Sequence, residues 1–340
     1  MSKQRVLILG ATGQTGKSIL QGLLKDTESF EVEALVRPTS AEKPEVKKIA
    51  EMGVKIHVVD IGGPLEELVN VLTGIDVFIS AIDAMGQLAQ LQLVTAAKKA
   101  GVKRFVPCAF ITVAPPGGVM ALRDSKEEVY QEIRKQFLPY TIIDVGYWHQ
   151  VSFPTLPSGR VDYASVIIPR IKIHARGTTP TMLTDLRDIG TFVALIIKDP
   201  RTLNKFVCTY SEALSENEIF AMMEELSGEK IEREHISAED IIASRVSALA
   251  SSKAEPENWM AQARKFMADY EFSNYVRADN TPEYAKYLGY LDARDLYPEF
   301  KPKTFREFLG ELFEGKVDKP YKQYRESAFG RSSLSFGLSQ

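Results

Sequence analysis

The stretch Val6–Gly16, VLILGATGQTG, constrains the fold of this chain more than any other part of the sequence. An apolar run stops at Gly10, and Gly13 and Gly16 lead into a helical pattern. Gly10 permits a tight turn, Gly13 lets the backbone approach a bound group, and Gly16 lets the helix pack closely on the strand. Because free N–H groups at a helix start attract phosphate, this spacing predicts a dinucleotide site rather than a purely structural turn. The residues predicted to hold the dinucleotide here are Gly10, Thr12, Gly13, Gln14, Thr15 and Gly16.

Strand and helix patterns alternate over about the first 145 residues. The predicted strands are Val6–Leu9, Phe30–Val36, Val54–Val59, Ile75–Ser80, Val102–Pro107 and Pro139–Val145. Such alternation is typical of a parallel sheet with helices on both faces, and right-handed crossovers bring the carboxyl ends of the strands to one edge. We therefore predict an α/β fold, a Rossmann-type doubly wound parallel sheet with a smaller C-terminal α+β substrate-binding part.

The second half of the chain has a different pattern. Val166–His174 alternates as a strand does, and Thr184–Ile197 reads as a helix capped by Asp185. Ser215–Ser227 opens with the pattern of a helix capping box. The predicted division is a nucleotide-binding domain of residues 1–150 with about 184–212, a substrate-binding part of about 151–183 and 213–330, and a flexible tail of 331–340.

The composition excludes several classes of partner. The chain has 42 Lys and Arg against 45 Asp and Glu, without a basic block or an acidic tail, so we expect neither nucleic acid nor a membrane surface as partner. Cys108 and Cys208 lack paired spacing and indicate reduced thiols in a cytoplasmic protein. Because the first predicted strand begins near the start of the given sequence, we expect no signal or transit peptide. No apolar run reaches the about 18 residues of a transmembrane helix, and the histidines lack metal-ligand spacing, so we expect neither a membrane span nor a metal site.

The end of the second predicted strand indicates which nucleotide binds. Sites specific for NAD place an acidic residue there, to accept from the ribose 2′-hydroxyl. This chain has Arg37 instead, with Thr39, Ser40 and Lys43 close by. A guanidinium suits a 2′-phosphate and also stacks on adenine, whereas the alternative is an ordinary surface arginine. The position favours NADP(H) over NAD(H).

A common route in short-chain reductases uses Tyr-x-x-x-Lys on the helix before the sixth strand, which places both side chains on one helix face. Here Lys126 is present, but the tyrosine position is Leu122. The other Tyr-x-x-x-Lys, Tyr297–Lys301, lies between two prolines and does not suit a helix. Reductase chemistry in this chain must therefore proceed without that tyrosine, and the alternative for Lys126 is a solvent-facing lysine in the charged run 123–128.

Several motifs resemble the isoflavone reductase-like, or NmrA-like, proteins, and their fungal members most. The matching stretches are Gly10–Gly16, Val36–Pro38, Val102–Pro107 followed by Phe110, Lys126 thirteen residues before Pro139, Asp188–Asn204 and Leu214–Glu218. The resemblance implies an NADP-dependent reductase of small, often aromatic or polyketide-like molecules. It also implies that Lys126 is a general acid/base that holds the nicotinamide ribose. The chain departs from plant members by reading Pro107-Cys-Ala-Phe110 where they read Pro-Ser-Glu-Phe.

The remaining site residues are expected at the carboxyl edge of the sheet. Those predicted to contact the cofactor are Ser80, Ala81, Phe110, Lys126, Gly146 and Tyr147. Trp148 and His149 are predicted to line the substrate pocket, where Trp148 would stack on an aromatic ring. One alternative is that Tyr147 or His149 donates a proton to the substrate. The other is that both residues only line the pocket.

Together these features predict an NADPH-dependent reductase that transfers a hydride to a C=O, conjugated C=C or C=N bond of a small molecule, in fungal secondary metabolism. The alternative is an NmrA-like redox sensor that binds a dinucleotide without catalysis. That hypothesis predicts that the lysine is missing, whereas Lys126 is present. Leu122 weakens a third hypothesis, an ordinary short-chain dehydrogenase. The oligomeric state stays open, with a homodimer as one alternative.

Overall fold

The computed structural model describes residues 3–321, and the alternation predicted for the first half forms its central sheet. The strands are β1 Gln4–Leu9, β2 Phe30–Val36, β3 Lys55–Val58, β4 Val77–Ser80, β5 Arg104–Val106 and β6 Thr141–Asp144. The helices between them are α1 Gln14–Leu24, α2 Pro44–Glu51, α3 Leu65–Leu72, α4 Gln90–Ala100 and α5 Ala121–Lys135. The predicted tail, residues 331–340, lies outside the described residues.

The second half contributes short strands and seven further α-helices within the described residues. Its strands are β7 Tyr147–Trp148, β8 Lys172–His174, β9 Thr181–Thr184, β10 Lys205–Cys208, β11 Glu212–Leu214, β12 Glu234–Ile236 and β13 Leu291–Asp292. Its helices are α6 Ile189–Lys198, α7 Glu216–Ser227, α8 Ala238–Ala254, α9 Trp259–Glu271, α10 Pro282–Tyr287, α11 Ala293–Leu296 and α12 Phe305–Phe313.

The central sheet is parallel and has the strand order β3-β2-β1-β4-β5 in the described chain. A bridge between Phe105 and Tyr140 continues it to β6, which pairs with β10 and through it with β13. The strand order reverses between β1 and β4, the point at which open α/β sheets bind ligands. The predicted fold class, a doubly wound parallel sheet, is therefore confirmed.

Alternate residues of β1 face two separate cores. Val6 and Ile8 pack with α1 and α6 on one face of the sheet. Leu7 and Leu9 pack with α3, α4 and α5 on the other. Because both faces are covered, the central strands are apolar throughout rather than alternating with polar residues. A third core joins α7 and α12 to the loop that begins at Phe153.

The segment 189–208 supplies α6 and β10 to the layers around the sheet. Helix α6 packs against α1 where Gly22 faces Gly190, and a Cβ on either glycine would fall inside the backbone of the other helix. The predicted division assigns about residues 184–212 to the nucleotide-binding domain, and that assignment requires this segment to lie beside the sheet. The division into two parts itself stays a prediction.

Two predicted elements of the second half are wrong in extent. In Val166–His174 only Lys172–His174 forms a strand, because Pro169 has no N–H to donate to a ladder. In Thr184–Ile197 the helix begins at Ile189, since Thr184 ends β9 and its hydroxyl donates to the Val145 and Thr209 carbonyls.

Asp185 is not the cap of that helix. Its carboxylate accepts from Gln150 at 2.9 Å and from the side chain of Arg187. Asp188 occupies the N-cap position instead. By contrast, the predicted capping box of Ser215 and Glu218 at the start of α7 is confirmed. Within residues 3–321, no helix has the length and apolar character needed to cross a membrane.

Candidate active site

The glycine loop, residues Gly10–Gly16, connects β1 to α1 at the reversal point of the sheet. Gly10 has φ +88°, and a Cβ there would overlap the Ala81 carbonyl. A Cβ on Gly16 would overlap the Gly10 carbonyl, so the helix start lies against the turn, as predicted. Gly13 is the N-cap of α1 and provides no side-chain cap, which leaves the first N–H groups of the helix for an anion.

The residues predicted beside this loop lie at the end of β4. Ala81 contacts Gly10 closely, since its N–H donates to the Leu9 carbonyl at 2.8 Å. Ser80 is fully buried, and its hydroxyl has no partner among the described residues. The backbone of Ala81, rather than the Ser80 side chain, therefore borders the space in front of the glycine loop.

Arg37 follows β2 at the same edge and is exposed. Its guanidinium makes no hydrogen bond or ion pair within the described chain, and Thr39 beside it is also exposed. The acidic residue nearest to it in β2, Glu33, is buried and bonded to Arg5 and His57. The end of β2 thus offers an unpaired cation and no carboxylate, which suits a 2′-phosphate.

Lys126 on α5 is 2% exposed, so the alternative of a solvent-facing lysine is wrong. Its Nζ donates to the Cys108 carbonyl at 2.6 Å and to Gln87 Oε1 at 3.1 Å. Burial lowers its pKa from the usual value, against an opposing influence of Cys108 and Asp144. An amine of lowered pKa that is buried at the sheet edge, without an ion pair in the described chain, is suited to proton transfer.

Two glutamines that sequence reasoning missed hold this lysine in place. Gln87 Nε2 donates to the Asp83 carbonyl at 2.7 Å, which fixes the orientation of its amide. Gln90 donates to Gln87 Oε1 at 3.1 Å and accepts from the Cys108 N–H at 2.8 Å. Their spacing of three residues at a helix start was the available signal, but only the fold shows that Gln87 reaches Lys126 and that Gln90 links Gln87 to the loop after β5.

A second buried network lies at the end of β6. Tyr290 donates to Asp144 at 2.6 Å, and burial raises the pKa of this carboxyl. Arg123, one turn before Lys126 on α5, donates to the Ala114 carbonyl at 3.1 Å and to Glu127 at 2.8 Å. The charged run of α5 is therefore largely enclosed, and it joins the helix to the loop after β5.

A cavity of about 240 Å³ opens at the carboxyl edge of the sheet, between the loops after β5 and β6 and the second half of the chain. Phe110, Gly146, Tyr147 and Trp148, four residues predicted for the site, line it together. Helix α9 provides the opposite wall through Tyr270, which sequence reasoning missed. The walls are mostly apolar and aromatic, as in sites for small organic ligands.

His149 does not line this cavity, contrary to the prediction. It is fully buried, its Nε2 lies 2.9 Å from the Ser211 hydroxyl, and its ring packs against Phe305 and Phe308. Strand β7 ends at Trp148 and the chain turns there, so the next side chain points into the core of α12. Burial lowers the pKa of His149 to about 4, and the neutral ring is not a proton donor to substrate.

The model of the NmrA-like family matches residues 2–309. A relative at 41% identity is the asnovolin J 5′,6′-dehydrogenase of Aspergillus novofumigatus, with 91% of this chain and 95% of that one covered. A phenylcoumaran benzylic ether reductase of Nicotiana tabacum is 28% identical, with 91% and 99% covered.

Two solved structures have the same fold as this chain. The complex of leucoanthocyanidin reductase with NADPH from Vitis vinifera has a TM-score of 0.75 at 24% identity, covering 91% of this chain and 99% of that one. An isoflavone reductase has the same TM-score and identity, covering 92% and 100%. The relatives are named reductases and dehydrogenases, which agrees with the predicted oxidoreductase class. The resemblance seen in the sequence is thereby confirmed, and this chain belongs to the NmrA-like family.

Proposed function

We propose that this chain is an NADP(H)-dependent oxidoreductase that acts on a small molecule bound in the cavity beside the sheet edge. The observation that carries the proposal is Lys126, a buried amine without an ion pair in the described chain, beside the cofactor edge. Burying an unpaired amine is costly, so such groups are usually kept for function. The names of the relatives support the same class of reaction.

The glycine loop and Arg37 fit the proposed cofactor. The uncapped start of α1 would receive the pyrophosphate, since its N–H groups and the helix dipole both favour an anion. The exposed Arg37 would pair with the 2′-phosphate. NADPH complexes among structural neighbours support this assignment. When bound, the nicotinamide would supply or accept the hydride.

Arg37→Ala is expected to weaken NADPH binding by about 10- to 100-fold and to change NADH binding little, because a hydrogen bond to a charged group contributes about 1.5–3 kcal/mol. Calorimetric titration of both nucleotides measures the ratio. Lys47→Ala, which removes an exposed cation of α2, is the control and should leave both affinities unchanged. An equal loss for NADPH and NADH would contradict the 2′-phosphate assignment.

Lys126 would then act as the general acid or base of the reaction. In the reductive direction its ammonium donates a proton while a carbon of the substrate gains the hydride, and in the oxidative direction its neutral amine accepts one. The hydrogen bonds to Cys108 and Gln87 hold Nζ in one place for either role. Both directions are compatible with relatives that are named a dehydrogenase and a reductase.

The substrate class that fits best is an aromatic or polyketide-like molecule of fungal secondary metabolism. The aromatic walls of the cavity, with Trp148 stacked on Tyr321 at 5.9 Å between ring centres, suit a flat apolar ligand. The fungal dehydrogenase relative supports this setting. The same proposal includes a cytoplasmic location, because Cys108 and Cys208 are buried free thiols.

The proposal is tested by mixing the protein with NADPH and a panel of aromatic aldehydes, enones and imines. Loss of absorbance at the reduced-nicotinamide band with one of them is the expected result. Binding of NADPH without turnover of any panel member, together with a stable complex with another protein, would favour the redox sensor instead. Failure to bind NADPH at all would overturn both.

A further inference from the structure

The cavity at the sheet edge has one charged side chain among the described residues that line it. That side chain is Arg170, from the loop before β8, and it is half-buried. The other described lining residues are apolar, aromatic or uncharged polar, and none of them is a carboxylate. The described walls therefore give the cavity a positive charge, although the whole chain has a formal net charge of −3.

The backbone of Arg170 is held by two hydrogen bonds to one residue. Its N–H donates to the Thr155 hydroxyl at 2.9 Å, and its carbonyl accepts from the Thr155 N–H at 3.1 Å. Thr155 is buried, and it lies between Phe153 and Leu156, which belong to the third core. The Arg170 side chain therefore extends from a fixed point in the wall of the cavity.

The guanidinium of Arg170 has no hydrogen-bond or ion-pair partner within residues 3–321. Two other enclosed arginines each pair with a carboxylate: Arg123 with Glu127 at 2.8 Å and Arg245 with Asp269 at 2.7 Å. A half-buried guanidinium has lost part of its hydration, and a charged acceptor restores the lost interactions. We therefore expect that acceptor to come from a ligand of the cavity.

The carboxylates near this wall are paired with a different cation. Burial raises the pKa of Tyr147, the charge of Arg170 opposes that increase, and Glu271 and Glu216 add to it, so all three charges lie around this ring. Glu216 lies 2.8 Å from Nδ1 of His174, and Glu271 lies 3.6 Å from Nε2. Burial acts to lower the pKa of His174, but the two glutamates raise it to about 9, so the ring is cationic at neutral pH.

The phosphates of the cofactor are not the expected partner of Arg170. The start of α1, where the pyrophosphate is proposed to bind, does not line the cavity, and neither does Arg37. Phe110 and Gly146, which are predicted to contact the cofactor, do line it. The cavity therefore borders the proposed cofactor site without including the proposed phosphate sites, which leaves Arg170 for the substrate.

We propose that Arg170 binds a carboxylate of the substrate, so that the preferred substrate is an aromatic or polyketide-like carboxylic acid whose reacting carbon lies elsewhere in the molecule. A planar guanidinium donates two parallel hydrogen bonds to a carboxylate, which fixes the orientation of the ligand as well as its position. Tyr147 and Trp148 provide aromatic contacts for the rest of the molecule. This inference rests on the proposed oxidoreductase function and specifies the class of its substrate.

The test compares 2-naphthoate with 2-naphthamide, which have the same rings and nearly the same shape, whereas only the first is charged. Both are titrated calorimetrically into protein saturated with NADPH, because its reduced nicotinamide is uncharged and does not itself attract the carboxylate. The wild type is expected to bind 2-naphthoate about 10-fold more tightly, the factor for a charged hydrogen bond that solvent partly screens.

Arg170→Met is expected to lower the ratio of the two affinities about 10-fold, since it removes the charge and keeps much of the apolar stem. Arg170→Gln is the second variant if methionine prevents folding, and it should lower the ratio equally. Arg170→Lys keeps the charge without the planar fork, so it should retain part of the preference. Arg176→Met is the matched control, because Arg176 is exposed on the same segment and does not line the cavity. It should leave both affinities unchanged.

The proposal is overturned if the wild type shows no preference for 2-naphthoate, including the case in which neither compound binds. It is equally overturned if folded Arg170→Met or Arg170→Gln keeps the wild-type ratio. Weaker NADPH binding by these variants would assign the guanidinium to a cofactor phosphate and overturn it as well. Failure of the proposed oxidoreductase function is read separately, from NADPH titration of the wild type without either compound.

Discussion

Lys126→Met is expected to lower turnover by about 10²- to 10⁴-fold while the protein stays folded. General acid–base catalysis contributes roughly this factor, and methionine fills a similar volume without an exchangeable proton. Nζ of Lys126 is bonded to Cys108 and Gln87, so its position is fixed before any ligand binds. The measurement is NADPH oxidation with the most active panel substrate, alongside NADPH affinity and the urea midpoint.

Lys135→Met is the control for this variant, since Lys135 lies on the same helix with its side chain 79% exposed. It should retain full activity. If Lys126→Met keeps wild-type turnover with an intact fold, the proton comes from elsewhere and the assigned role is wrong.

The pH profile of the wild type gives an independent readout of Lys126. Burial lowers the pKa of this amine, so the ammonium deprotonates at a lower pH than an ordinary lysine. Reduction, which uses the ammonium, is expected to fall as pH rises through that pKa. Oxidation, which uses the neutral amine, is expected to rise over the same range. Residual activity of Lys126→Met should lack this dependence.

Gly190→Ala is expected to destabilise the protein by about 3 kcal/mol, because its Cβ would fall inside the Ser18 carbonyl of α1. The Ser18 carbonyl belongs to the backbone of α1 and the added Cβ is fixed to the backbone of α6, so the clash is relieved only if the two helices move apart. Helix α1 also carries the glycine loop, and NADPH binding should weaken with stability. Urea unfolding measured by circular dichroism gives the change in free energy.

Gly310→Ala is expected to have the opposite effect and to increase the stability of the protein. Gly310 lies inside α12 and is exposed, and no atom lies within 4 Å of an added Cβ. Alanine there should stabilise the helix by up to about 1 kcal/mol through its higher helix propensity. Equal effects of the two substitutions would show that the contact between α1 and α6 is looser than described.

The parts of the predicted site whose local geometry the structure reproduces depend on neighbours along the chain. The glycine loop is one strand, one turn and one helix start, so its spacing alone predicts its geometry. Arg37 follows from the position of a strand end, and α5 from its own periodicity. What the sequence could not show for Lys126 was its burial, because this requires Cys108 and Gln87 from two other segments.

The errors and omissions have the same physical origin. His149 follows two cavity residues directly, yet the turn after β7 sends its ring toward Phe305, far along the chain. Asp185 looked like a helix cap, but its carboxylate instead bonds Gln150. Tyr270 has no motif around it, and its role as a cavity wall arises only because α9 packs opposite the sheet edge.

The sequence by itself therefore determined the sheet and the family and predicted a nucleotide site at the sheet edge, since strand periodicity and the glycine spacing are local properties of the chain. The tertiary structure alone decided which side chains meet in the cavity and which are enclosed. The burial and the lowered pKa of Lys126 depend on contacts between segments distant in sequence. For that reason the cavity, which Tyr147 and Tyr270 both line, arises only from the packing of the second half against the sheet.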